Sequence, residues 1–167
     1  MGKTFLIADT HFGHSNILTF KRNNGEFLRV FPTIEEHDEK LIENWNSVVS
    51  SHDKVYHLGD VGFKSFSKLS LILSRLNGTK ILIKGNHDGF KLSQYQQHFK
   101  DVRGTHQLDK FLLSHIPIHP ESLSRWKGNI HGHVHDNSLP DSRYINVSVE
   151  NINYVPINFE EIRERFK

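Results

Sequence analysis

Apolar positions along this chain fall into short runs, and most runs stop at a polar cluster. Residues 3–8 form a β-type run that ends at Asp9-Thr10-His11. Residues 12–21 suggest a short helix, Asn23-Asn24-Gly25 a turn, and residues 26–31 a strand or an ordered loop. Thr33 followed by Glu36 makes a capping box, and the helix behind it puts Ile34, Leu41, Trp45 and Val48 or Val49 on one apolar face. A second strand over 54–58 runs into Gly59-Asp60. An amphipathic helix over 67–76 is closed by Asn77-Gly78. A third strand, 80–84, meets Gly85-Asn86-His87-Asp88, and a fourth, 111–114, meets His115. Residues 129–131 lead into Gly132-His133-Val134-His135. Apolar and polar positions alternate over 144–149 as in a half-buried strand, and residues 159–166 form a last helix. Strand and helix alternate early, which predicts parallel pairing, while the later part is richer in strands. A layered α/β sandwich with two sheets accommodates both, as one domain over residues 1–167.

Composition narrows the class. No apolar run approaches the ~20 residues that cross a bilayer, and the first eight residues read as a strand rather than a signal peptide. The chain has no cysteine, which excludes disulfides and thiolate metal sites and fits a cytoplasmic, reducing location. A net charge of +2 without a Lys/Arg block argues against a footprint for long nucleic acid. Thirteen histidines are many for this length, and histidine is the commonest metal ligand.

The positions of those histidines matter more than their number. In open α/β sheets, ligands bind beyond the carboxyl ends of the strands, where this chain keeps its Asp, His and Asn clusters. Asp9 and His11 are two apart, which in a straight strand would turn both to one face; His133 and His135 repeat the spacing. Asp60 lies between Gly59 and Gly62 in a turn that allows close backbone approach, and its carboxylate could bridge two cations. Asn86 offers an amide oxygen, His87 a proton for a leaving group or a hydrogen bond to a phosphoryl oxygen, and Asp88 a carboxylate to orient that imidazole. Alone, Asp9, Asp60 and His115 would pass for a cap, a turn and a packed histidine. Together they form a nitrogen and oxygen donor set suited to Mn, Fe, Co, Ni or Zn. His14 is a candidate substrate-phosphate contact, Arg22, Lys64 and Arg125 candidate phosphate-facing cations, and Phe12 and Trp126 candidate base-stacking rings. Asn146 could line the cleft, and His131, inside a strand, reads as a packing residue.

This ordered series resembles the calcineurin-like metallophosphoesterase superfamily, whose motifs run Asp-x-His, Gly-Asp, Gly-Asn-His-Asp/Glu, His, Gly-His-x-His. They are matched here by Asp9-x-His11, Gly59-Asp60, Gly85-Asn86-His87-Asp88, His115 and Gly132-His133-x-His135. The opening Asp9-Thr10-His11-Phe12-Gly13-His14 and the small size are similar to the compact stand-alone bacterial and phage members. The resemblance implies a four-layer αββα sandwich with two mixed sheets. It implies two divalent transition-metal ions, manganese first and Fe, Ni, Co or Zn as alternatives. Asp9, His11 and His135 would hold one ion, Asn86, His115 and His133 the other, and Asp60 both. His87 would be catalytic without ligating, assisting a bridging water in in-line attack on a phosphodiester or phosphomonoester. Few insertions frame the motifs, so the expected substrate is a small, nucleotide-like ester in an open cleft. A nuclease on DNA or RNA and a non-catalytic protein-binding scaffold are the competing readings.

Overall fold

The computed structural model describes residues 2–63 and 65–167. Strands β1 (Thr4–Ile7), β2 (Lys54–His57), β3 (Thr79–Ile83) and β4 (Asp101–Arg103) pair in parallel, and β9 (Ile157–Asn158) adds antiparallel to β1. The order is β4-β3-β2-β1-β9. A second, four-stranded sheet has the order β5-β6-β7-β8: β5 (Thr105–Leu108) is antiparallel to β6 (Phe111–Ser114), which pairs in parallel with β7 (Gly128–His131), itself parallel to β8 (Tyr144–Asn146). Both sheets are therefore mixed, and the fold is the expected α/β sandwich.

Strand periodicity explains the layers. Phe5 and Ile7 of β1 face helices α1 (Ile34–Val48) and α2 (Phe66–Leu73), with Leu41, Trp45, Leu69 and Leu73 in the same core. Helix α3 (Leu92–Tyr95) adds Tyr95. The intervening residues Leu6 and Ala8 turn the other way, into a core between the sheets with Tyr56, Leu58, Ile81, Ile83, Phe111, Leu113 and Ile130. Helix α4 (Phe159–Glu164) closes this core with Phe159 and Ile162. The loop that carries the 3₁₀ turn Pro120–Leu123 lies against the second sheet. There Asn129 Oδ1 accepts from the Ile118 N–H, and Tyr144 Oη donates to the Ile118 carbonyl.

Thr33 caps α1 as the sequence indicates, accepting from the Glu36 N–H at 3.1 Å. Val49 is 1% exposed and Val48 38%, so Val49 is the core residue of that pair. Several elements differ from expectation. Residues 12–21 hold only the 3₁₀ turn Ser15–Thr19, and residues 26–31 form a loop with one bridge, Lys21 to Phe27. The strand expected over 144–149 stops at Asn146, and Ser148 bridges instead to Ala8, just past the end of β1. No helix is long and apolar enough to cross a membrane among the described residues.

Candidate metal centre

Strands β1, β2 and β3 run parallel and end on one side; β6 and β7 end there too. Asp9, Asp60 and Asn86 follow the first three, and His115 and His133 follow the other two. The sheets meet at this end, where Ala8 and Ser148 form a parallel bridge. The convergence gives two groups of donors, Asp9–His11–His135 and Asp60–His115–His133, whose ligand atoms lie within 4.8 Å of one another in each group. Asn86 joins the second, its Oδ1 lying 2.9 Å from His115 Nε2 and 3.0 Å from His133 Nδ1. All seven motif residues thus gather at one place.

The backbone there is strained. Asp9, His11, Asp60, His133 and His135 all have positive φ, between 50° and 73°. Side-chain-bearing residues avoid this region, at a cost of about 1–3 kcal/mol each. The same-face argument for Asp9-x-His11 therefore gives the wrong cause: β1 has ended at Ile7, and left-handed turns aim both side chains. His133 and His135, with the same spacing, do not share a face but enter different groups. Two glycines make the crowding possible. Gly59 has φ +93°, and a Cβ there would come within 2.5 Å of the Gly85 nitrogen; a Cβ on Gly132 would strike the Asp9 carboxylate.

Hydrogen bonds leave particular atoms free. Asp9 Oδ2 accepts from the His133 N–H at 2.9 Å and lies 2.8 Å from Ser148 Oγ, whereas buried Asp9 Oδ1 and His11 Nε2 have no hydrogen-bond partner among the described residues. His115 Nδ1 donates to the Leu58 carbonyl at 2.7 Å, so in the neutral ring Nε2 carries a lone pair. That lone pair faces two more acceptors, Asn86 Oδ1 at 2.9 Å and Asp60 Oδ2 at 3.4 Å. Acceptors facing acceptors repel unless a proton or a cation stands between them. This donor set fits divalent cations, and the absence of sulfur suits metals that accept imidazole and carboxylate. The electrostatics agree. Burial pushes the Asp9 carboxyl up, but His11, His115 and His135 overcome it and hold it well below the usual carboxylate range. Burial pulls His115 down, and Asp60 and Asp9 reverse this, leaving it raised.

Around the donors, some expectations hold and others do not. His87 is exposed, its N–H donating to Asp60 Oδ1 at 2.9 Å and its ring 5.5 Å from that of Phe63. Asp88 does not orient that imidazole. Its buried carboxylate accepts from the Asp60, Val61 and Gly85 N–H groups at 2.8–2.9 Å and from Tyr95 Oη at 3.3 Å, so it clamps the two loops together. His14 lies beside the centre, its Nδ1 3.0 Å from His11 Nδ1 and its ring stacked on Phe63 at 4.0 Å. Phe12 is buried core and cannot stack a base. Arg22 pairs with Asp136 at 3.7 Å, Arg125 is exposed and Trp126 half-buried. Lys64 lies outside the described residues. Asn146 holds the loop between β7 and β8 by donating to the His135 and Asn137 carbonyls. His131 is buried in β7, as expected of a packing residue.

Three residues absent from the sequence reading support the centre: Ser148 against Asp9, and the buried ion pair of Arg29 with Glu150 at 2.7 Å, Glu150 accepting from His135 Nδ1 at 3.0 Å. Burial pushes the Glu150 carboxyl up, and Arg29 and His135 bring it below its ordinary value.

No family model matches the chain. The uncharacterized protein MJ1445 of Methanocaldococcus jannaschii is 37% identical over 175 aligned residues, covering 97% of this chain and 90% of the relative. The Gene 66 protein of Mycobacterium phage L5 is 35% identical over 92 residues, 53% of this chain and 41% of the phage protein. The crystal structure of AQ665 from Aquifex aeolicus, a protein of unknown function, is similar at a TM-score of 0.77 and 27% identity, covering 98% of this chain and 99% of that one.

Proposed function

The chain belongs to one family with MJ1445 of Methanocaldococcus jannaschii, and from the geometry of its donor groups we propose that it is a dinuclear metal-dependent phosphoesterase. Asp60 carries the reading. Its Oδ2 lies 3.8 Å from His11 Nε2 and 3.4 Å from His115 Nε2, facing both donor groups at once. In this reading Asp9, His11 and His135 hold one divalent ion, Asn86, His115 and His133 the other, and Asp60 is shared. When bound there, two such ions would supply positive charge for the phosphoryl oxygens and would activate a water for attack. Manganese is the first choice, with Fe, Ni, Co and Zn compatible with the same donors.

The chain's own residues supply the rest. Two carboxylates against two dications leave the centre net positive, which favours an anionic phosphate ester over a neutral amide or ester. The exposed His87 imidazole donates a proton to the departing oxygen or a hydrogen bond to a phosphoryl oxygen. His14, beside His11, contacts the substrate phosphate. The substrate is a small phosphodiester or phosphomonoester, with nucleotide-like esters the first class to try.

The test is turnover of bis-p-nitrophenyl phosphate and p-nitrophenyl phosphate by purified protein with added Mn²⁺. A panel of cyclic, 2′,3′-cyclic and simple monoester nucleotides then ranks substrates. Full activity in Asp60→Asn or His87→Ala protein would overturn the mechanism.

A further inference from the structure

The two donor groups are braced in different ways. His115 rests on a neutral backbone carbonyl, that of Leu58. His135 rests on a charged and buried chain that begins far away in sequence. Its Nδ1 lies 3.0 Å from Glu150 Oε1. Glu150 also takes the Arg29 guanidinium, Nε at 2.8 Å and Nη2 at 2.7 Å, and neither side chain is exposed. The same guanidinium donates to the Asp9 carbonyl at 2.6 Å and the Thr10 carbonyl at 3.0 Å, within the turn that carries Asp9 and His11. Arginine has no acceptor, so His37 Nε2, 3.0 Å from Nη1, must accept. The His37 Nδ1–H then points to Asp38 Oδ1 at 2.9 Å, and Asp38 Oδ2 accepts from the Gly13 N–H.

We propose that Arg29 and Glu150 are positioning residues for one donor group only: Glu150 holds His135 in its Nδ1–H form with Nε2 free, and Arg29 fixes the Asp9–His11 turn. An ionised carboxylate only accepts, so the His135 proton must sit on Nδ1 and the lone pair on Nε2. The rigid guanidinium fork reaches Asp9, Thr10 and Glu150 together, which a lysine ammonium cannot do. All the partners of this pair lie on the Asp9–His11–His135 side. The proposal rests on the metal-centre reading above.

The experiment has two arms. In metal-free protein at alkaline pH, long-range ¹H–¹⁵N spectra assign the imidazole tautomers. His135 is expected as the Nδ1–H form alone, turning mixed in Glu150→Ala, which removes the acceptor. In the second arm, Co²⁺ is titrated by calorimetry with its visible spectrum followed in parallel. Wild type takes two ions, whereas Glu150→Gln and Arg29→Lys keep one with native affinity and bind the other about 10–100-fold more weakly. Arg29→Lys preserves the buried charge balance and so covers the case in which Glu150→Gln fails to fold. Asn86→Ala should show the converse, weakening the other ion while His135 stays Nδ1–H. Two native-affinity ions in Arg29→Lys, or a mixed His135 tautomer in wild type, would overturn the positioning alone. A wild type that binds no cobalt would overturn the metal-centre reading and the positioning role with it.

Discussion

The two sheets bring different chemistry to one end of the molecule. The five-stranded sheet supplies oxygen donors from Asp9, Asp60 and Asn86, with His11 its one imidazole; the four-stranded sheet supplies only imidazoles, those of His115, His133 and His135. Each donor group needs residues from both. Neither sheet can assemble a group alone, so the centre depends on the interface between them, packed by Leu6, Leu58, Leu113 and Ile130. The core on the helix side, around Trp45 and Leu73, packs the helices against the first sheet. Overall stability and site geometry should therefore be partly separable in this fold.

Asp60→Asn should disturb both groups at once, since Asp60 Oδ2 faces both. We expect turnover to fall by more than the ~10²–10⁴-fold that a lost general acid costs, with bound metal reduced in elemental analysis. His87→Ala should lower kcat by about 10²–10⁴-fold and leave metal content unchanged, because its ring is outside both groups. Next come two core truncations. Leu113→Ala and Leu73→Ala remove side chains that are equally buried, and each should cost about 2–5 kcal/mol in urea unfolding. Only Leu113→Ala should also weaken ion binding by the folded protein. Equal loss in both would show that the two cores do not differ in this respect.

A pH-dependent effect concerns the seam between β1 and β2. His57 Nδ1 accepts from the Gly59 N–H, so its Nε2–H points to Thr10 Oγ1, which donates to the Val61 carbonyl. Burial pulls this imidazole down to about 3, from 6.5 in the unfolded chain. Between those values the unfolded state binds the extra proton. Stability is full above pH 6.5 and falls as the pH drops towards 3, by up to about 1.4 kcal/mol per pH unit. Urea midpoints of wild type and His57→Asn across this window should converge towards acid. Parallel curves would remove His57 from the acid response.

How much of this was legible depends on the kind of signal. Strands β1, β2, β3 and β6 are apolar runs that end at motif residues, and periodicity finds such runs. Strands β4 and β5 are short and carry polar residues on half-buried edges, so no run marks them. Leu28-Arg29-Val30 misleads outright: Arg29 is 1% exposed and Val30 81%. Arg29 is inside because Glu150 and two backbone carbonyls meet it there, and nothing near residue 29 announces a partner 121 positions away. Asp88 misleads in a milder way, since proximity to His87 in sequence suggested contact and the backbone turned its carboxylate towards Asp60 and Val61 instead.

Donor types, their order and their placement after strand ends are readable along the chain, because strand periodicity and ligand chemistry are local properties. Which donors face one another, and what braces them, depends on the packed fold. Left-handed turns at Asp9, His11, Asp60, His133 and His135 set the side-chain directions, and these turns persist only where packing and buried hydrogen bonds offset their strain. Those compensating contacts join residues separated by most of the chain, which is why no window of sequence contains them.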